Sequence, residues 1–343
     1  MCDYGCADGG TSLPLLCELI KSTNQLASPR EIQVYYEDQA ENDFSSLFQR
    51  VSGRIESAIG KSLSLGDFAN VFPFVVGRSF YEKCFPDNFL DFAFCSTAMH
   101  WLSKKPSQLT DTVHHAEKSS SPAPLELNAF KDQARLDYHR LLTLRRDELK
   151  PGASFHLVLF CINDDGEYLG STKSIKASMF ATMNTILRGN RFSLHVLYLR
   201  LDFVERKIIQ KKEFESMTFA NYYRTKQELL EPFSGTCGRQ EDRVDGLEMK
   251  EMIVRRIPCW YKSRWDEGNY YDSPEAFAKD YILTTRSWSQ STFLSGLDAN
   301  LRSLKEREEI IDLFFKEYEK KVMESPDDHG MDYVMAYITL TKR

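Results

Sequence analysis

An α/β fold with a parallel sheet is what three stretches of this 343-residue sequence predict. The first is Asp3-Tyr4-Gly5-Cys6-Ala7-Asp8-Gly9-Gly10-Thr11-Ser12, an acidic residue followed by glycines and then by an apolar-periodic helix from Leu13. The second is the β-rich run Glu31–Tyr36, closed by Glu37-Asp38, with a new helix from Asn42-Asp43-Phe44 to about residue 52. The third is a long helix over Leu125–Lys150, stopped by Pro151-Gly152, which feeds the buried run Phe155–Cys161. Turn, helix, strand, helix, then helix and strand again is the alternation that crossover helices on a parallel sheet produce.

Composition bounds the function classes. A hydrophobic content of 42% and an aromatic content of 13% describe a chain able to bury a sizeable core, as one large domain with an addition or as two domains. A net charge of -6 argues against a nucleic-acid binder, which needs a basic face. The eight cysteines form no CxxC pair and no zinc spacing, so they read as buried free thiols of a reducing compartment and predict no metal. No apolar run is long enough to span a bilayer and no signal-peptide pattern is present, so the expectation is a cytoplasmic protein without membrane contact.

Each element follows from local chemistry. The glycines let the backbone of the first loop lie close to a ligand, and the helix behind it offers free N–H groups, although an ordinary turn has the same look. Asp38, at the tip of a strand, is placed to take ribose hydroxyls, with Glu37 one position off; alternatively it only ends the strand. Pro73 in the run 71–77 argues against a long central strand. Phe89–Phe94 is a buried strand that delivers Cys95-Ser96-Thr97-Ala98-Met99-His100-Trp101-Leu102 to the carboxyl end of a sheet, where α/β proteins bind ligands. Residues 103–125 read as a surface loop, with His114-His115 solvated. The long helix carries an apolar stripe of Leu127, Phe130, Ala134, Leu141 and Leu144, with Arg135, Arg140, Arg145 and Arg146 largely elsewhere. Residues 172–188 read as helix, Ser234–Gly246 as a flexible loop and Leu247–Ile257 as a strand. Two helices, 274–284 and 302–323, precede a last strand within Met331–Leu340, lying at an edge or inserted antiparallel.

Taken in order, these stretches resemble the SABATH family of methyltransferases dependent on S-adenosyl-L-methionine (SAM), which esterify small carboxylic acids or methylate purine-alkaloid nitrogens. Asp3–Gly9 is similar to that family's D-L-G-C-S-S-G, and Asp38 with Asn42-Asp43-Phe44 to its N-D-L-P-x-N-D-F. Arg78-Ser79-Phe80-Tyr81 with Phe85-Pro86 resembles G-S-F-Y…F-P, and Ser96–Ser103 resembles S-Y-S-L-H-W-L-S, the most specific of the four. Pro151-Gly152 and Gly330–Tyr333 fit more loosely.

The resemblance implies a Rossmann-like methyltransferase core over 1–167 and 236–343, its first strand largely missing, under a helical cap at 168–235. Asp3, Gly5, Cys6, Gly9 and Thr11 would line the methionine and ribose side of SAM, with Thr11 in place of the family's asparagine. Asp38 would hold the ribose, Gln39 would lie beside the adenine, Ser79 and Phe80 would contact its edge and face, and Ser96 would sit near the methionine. Thr97, His100 and Trp101 would face the acceptor, with Trp101 and His100 positioning it; Thr97 stands where the family has tyrosine and leaves room for a bulkier acid. In the family a longer segment precedes the glycine loop. It carries the first strand and a glutamine that shares the acceptor carboxylate with the tryptophan. Here that strand is expected to leave a gap in the sheet. The implied activity is carboxyl methylation of a small-molecule acid, with N-methylation of a heterocycle or a catalytically silent fold as alternatives. A homodimer is the family's tendency.

Overall fold

The computed structural model describes residues 1–26, 30–55, 63–118, 122–188, 202–233, 243–268 and 270–343. Its sheet is built from β1 (Cys2–Tyr4), β2 (Ile32–Asp38), β3 (Val71–Gly77), β4 (Leu90–Ser96), β5 (Leu149–Ile162), β7 (Leu247–Ile257) and β8 (Tyr333–Lys342), with the short β6 (Arg224–Thr225) beside the end of β5. The order across it is β3-β2-β1-β4-β5-β8-β7. The strands from β3 to β5 are parallel, and β8 runs antiparallel between β5 and β7. The last strand is therefore inserted, the second of the two positions open to it from sequence.

The expected gap at the centre is filled. Cys2, Asp3 and Tyr4 pair with Tyr35, Tyr36 and Glu37 on one side and with Ala93, Phe94 and Cys95 on the other. Three residues suffice because both flanks bond to them, and the Met1 amine donates to the Gln33 carbonyl at 2.7 Å. Pro73 sits in β3, the strand at the sheet edge, where its missing N–H costs nothing. The long helix ends just ahead of Pro151-Gly152, as expected, but the following strand begins sooner than Phe155. α3 (Pro124–Glu148) ends where β5 begins, and the strand passes through both residues with Gly152 at φ +81°.

Helices cover both faces. α1 (Leu13–Leu26) and α2 (Phe44–Val51) seat Leu13, Leu16, Ile20, Leu47 and Val51 against Val34 and Tyr36 of β2. α3 turns Tyr138, Leu141 and Leu142 onto the strands, while Leu127, expected in its stripe, is exposed. The helix predicted over 172–188 is shorter: α4 is Met179–Leu187. Ahead of it, the Thr172 and Ser174 hydroxyls donate to Asp332 Oδ2 at 2.7 and 2.5 Å, pinning that stretch to the approach to β8. α5 (Lys211–Ser216), α6 (Lys226–Leu230), α7 (Trp260–Glu267), α8 (Pro274–Gly296) and α9 (Leu304–Glu324) follow. An aromatic core joins Phe180, Phe203, Phe214 and Phe219 to Phe277, Tyr281, Phe293 and Phe314, so the described residues of 168–235 pack with α8 and α9. The loop expected over Ser234–Gly246 lies mostly outside the described residues. Among the described residues no helix is long and apolar enough to cross a membrane, and no cluster of three metal-ligating side chains occurs.

Arg145 departs most from its expected surface place. It is 1% exposed, and its guanidinium lies 4.3 Å over the Tyr4 ring. It pairs with fully buried Glu148 (Nη2 to Oε1, 3.0 Å) and donates to the carbonyls of Phe80 and Glu82, both at 2.9 Å. Glu148 in turn accepts from the Tyr4 hydroxyl and from the Cys84 and Phe85 N–H groups. One ion pair thus ties α3, β1 and the loop after β3 together.

Candidate active site

The site forms at the carboxyl ends of β1, β2 and β4. As β1 ends, the Gly5 and Cys6 N–H groups both donate to the Glu37 carbonyl, at 2.9 and 3.0 Å. Gly5 has φ +73°, and a Cβ there would lie 2.2 Å from Ala98 Cβ, with the Phe80 ring 3.9 Å away. A side chain at this position meets both backbone strain and a neighbour that cannot move aside. Gly5→Ala is expected to destabilise by about 2–4 kcal/mol, from strain and overlap in comparable parts. Urea denaturation measures it, and adding Ala98→Gly should return only the overlap part. Gly9, at φ +71°, faces Val51 and Tyr36, so its bare side is turned to the core.

Of the two acids closing β2, Glu37 turns inward and Asp38 outward. Glu37 is fully buried and accepts from the Gly5 N–H at 3.1 Å; burial pushes its carboxyl up to about 8, against the pull of Arg145. Asp38 accepts from the Ala7 N–H at 2.7 Å and the Gln39 N–H at 2.8 Å, at the mouth of the glycine loop. Asp3 lies beneath that loop, 2% exposed, with Oδ2 unpartnered. Burial lifts its carboxyl to about 7, with the Ser12 hydroxyl lowering it and Asp38 raising it.

β4 ends at Ser96, and the chain turns sharply at Thr97, a β-branched residue held at φ +60°. Its N–H donates to the Val158 carbonyl at 2.8 Å. The turn sets His100 and Trp101 against segment 219–223. Leu102 N–H donates to the Ala220 carbonyl, Tyr222 N–H to the His100 carbonyl, and Trp101 forms an antiparallel bridge with Asn221. The Tyr81 hydroxyl donates to the Trp101 carbonyl at 2.6 Å, linking the loop after β3 to the same turn.

A cavity of about 340 Å³ opens here. Thr11, Ser96, Thr97, His100 and Trp101 line it, so five residues singled out from sequence share one cavity. Asp38, Gln39, Ser79 and Phe80 are not among its lining residues; Phe80 and Asp38 gather instead around the glycine loop, beside Gly5 and Ala7. Asn221, Tyr223, Thr284, Trp288, Met331 and Tyr333 complete much of the lining and were missed. They come from separate segments, and no short motif marks them.

His100 is buried with its ring 5.0 Å from that of Phe160, and burial with nearby Arg224 pushes it down to about 3, so the imidazole is neutral. His114 and His115 are not solvated. They are 0% and 5% exposed, stacked on Phe180 and Tyr222 at 4.0 and 4.3 Å. His115 Nε2 accepts the Tyr223 N–H at 2.9 Å. Burial pushes both imidazoles down, His115 to about 3. Their polar sequence neighbours hid partners supplied by segments far along the chain.

The family model described as SAM dependent carboxyl methyltransferase matches residues 1–343. The chain belongs to the SAM-dependent carboxyl methyltransferase family. The SABATH resemblance read from the four motifs agrees with that membership. Loganic acid O-methyltransferase from Catharanthus roseus is 31% identical over 163 residues, covering 44% of this chain and 39% of that protein. Probable caffeine synthase MTL2 from Coffea canephora is 28% identical over 187 residues, covering 49% and 47%. The matched segments thus span less than half the length of these curated relatives. A solved loganic acid methyltransferase with SAH matches 100% of this chain and 84% of its own at TM-score 0.64 and 19% identity, which shows the shared Rossmann-like fold.

The residues of this family member fit SAM. A buried carboxylate oxygen without a partner at Asp3 suits the cofactor's ammonium, and a positive-φ glycine loop runs beside an exposed acid at the end of β2.

Proposed function

We propose that this chain transfers the methyl group of SAM to the carboxylate of a small-molecule acid, giving a methyl ester. The observation that supports the reading is that Thr11 and Ser96, which the family resemblance puts beside the cofactor, line the same cavity as His100 and Trp101. When bound, SAM supplies an electrophilic methyl on a positively charged sulfur. The protein's part is positioning, because a carboxylate is already ionised at pH 7 and no side chain need accept a proton. The Trp101 indole N–H would hold one carboxylate oxygen, and neutral His100 would pack beside it. Asp3, Gly5, Cys6, Gly9 and Thr11 would hold the methionine end of SAM, Asp38 and Gln39 the ribose and adenine, Ser79 and Phe80 the adenine ring. The cap would comprise 168–235 together with α8 and α9. A cytoplasmic homodimer accords with the free thiols and the family tendency.

The test is transfer from methyl-labelled SAM to a panel of acids, with the ester identified by mass spectrometry. Label appearing on a heterocyclic nitrogen and on no acid would replace this reading with N-methylation, which the likeness to a probable caffeine synthase supports.

Asp3 gives a pH signature. Its folded pKa of about 7 lies above the ordinary 3.8, so its neutral form favours folding below pH 4 and that contribution fades as pH rises through 7. An ammonium at Asp3 favours the ionised form instead. SAM affinity is therefore expected to rise about ten-fold from pH 6 to pH 8, and Asp3→Asn to flatten the profile, by calorimetric titration. A flat wild-type profile would overturn the assignment.

A further inference from the structure

A second, smaller cavity of about 30 Å³ lies between α3 and the stretch 222–232. Arg224 lines it and is 3% exposed. Its Nη2 donates to the Ala134 carbonyl at 2.7 Å, and the guanidinium lies 4.9 Å over the Tyr138 ring. Its Nε is buried without an acceptor. Among the described residues no carboxylate pairs with it, in contrast to buried Arg145, which holds Glu148. A guanidinium keeps its charge at any ordinary pH, so Arg224 cannot escape the cost of burial by losing a proton. One carbonyl and one ring face offset that cost only in part.

The other lining residues do not supply the missing charge. Lys131, Arg135 and Arg224 stand there against Glu228 and Glu231, an excess of one positive charge in a chain whose net charge is -6. Glu228 is already engaged. Its Oε2 accepts from the Thr225 N–H at 2.9 Å, its Oε1 from the Tyr222 hydroxyl at 3.1 Å, and Lys131 Nζ lies 3.6 Å from the same Oε1. A space of this volume admits roughly one or two water molecules or a single small ion. It has no room for an acceptor acid or for any part of the cofactor.

We propose that this cavity binds a small monovalent anion, of which chloride is the abundant one, as the counter-charge of Arg224. The site is separate from the residues assigned to cofactor and acceptor, so it goes beyond the methyltransferase reading and does not depend on it.

The experiment is urea denaturation of the full chain in sodium gluconate, with gluconate replaced stepwise by chloride or bromide at constant ionic strength. An anion bound only by the folded state raises the folding equilibrium constant by mass action. A site of about 20 mM affinity gives roughly a ten-fold rise at about 200 mM halide. In Arg224→Met that rise should vanish. If the methionine variant does not fold, wild-type crystals soaked in bromide serve, with an anomalous-scattering peak expected beside Arg224. Equal stability in gluconate and halide, as expected were the cavity filled by water, overturns the proposal. A rise that persists in Arg224→Met, or a soaked crystal without the peak, overturns it as well. A peak in the crystal with no rise in solution marks an adventitious ion only and has the same consequence.

Discussion

Arg145→Met is expected to cost about 3–5 kcal/mol of folding free energy, because it strands the Glu148 carboxylate in the interior. Both partners are almost fully enclosed, at 1% and 0% exposure, so solvent does not screen the loss. The Glu148 oxygens would keep the Tyr4 hydroxyl and the Cys84 and Phe85 N–H donors, which is too little to hold a full charge away from water. Arg145→Met with Glu148→Gln should recover a large part of the loss, since glutamine still offers an oxygen to those donors without the charge. Urea denaturation of the three proteins measures it, and a single-variant loss below about 1 kcal/mol would show that Glu148 finds another partner or simply protonates. The same variant should weaken SAM binding, since Arg145 holds the carbonyl of Phe80 and thereby the loop that carries Ser79.

The second large effect is at Trp101. With an acid that the wild type esterifies, Trp101→Ala should lower kcat/KM by roughly a hundred-fold or more through loss of both the indole donor and the wall it forms. Trp101→Phe separates the two. It keeps an aromatic wall and removes the N–H, and a hydrogen bond to a charged group is worth about 1.5–3 kcal/mol, or roughly ten- to hundred-fold. SAM affinity should change little in either variant, because the bonds that fix this turn run through the Trp101 backbone, including the Tyr81 hydroxyl on its carbonyl. A phenylalanine variant with wild-type kcat/KM would remove the indole N–H from the mechanism and leave Trp101 a wall residue.

What the sequence disclosed and what it hid divide along physical lines. β2, β4, β5, β7 and β8 each carry enough consecutive apolar or β-branched residues to announce themselves. β1 does not, because three residues have no periodicity and its strand character is conferred by neighbours on both sides. Ser96, His100 and Trp101 were legible because they follow the end of a buried strand, Thr11 and Thr97 only through the resemblance of their stretches to the family's motifs, and the cavity gathers all five. Asn221, Thr284 and Trp288 were not, because their role comes from the folding of remote segments around that cavity. His114 and Arg145 misled for a shared reason. Charge and polarity in sequence point to water, and only tertiary contacts show that a stacked ring or a buried carboxylate has taken water's place.

The insertion of β8 between β5 and β7 sets an order of assembly. Among the described residues β7 pairs with β8 alone, and the flank of β5 opposite β4 is closed by β8. Until Tyr333–Lys342 docks, β5 has an open edge and β7, among the described residues, lacks its strand partner. The cofactor-side strands can meanwhile form on local crossovers. Bare strand edges are where self-association starts, so the docking of β8 is what protects both of these edges at once.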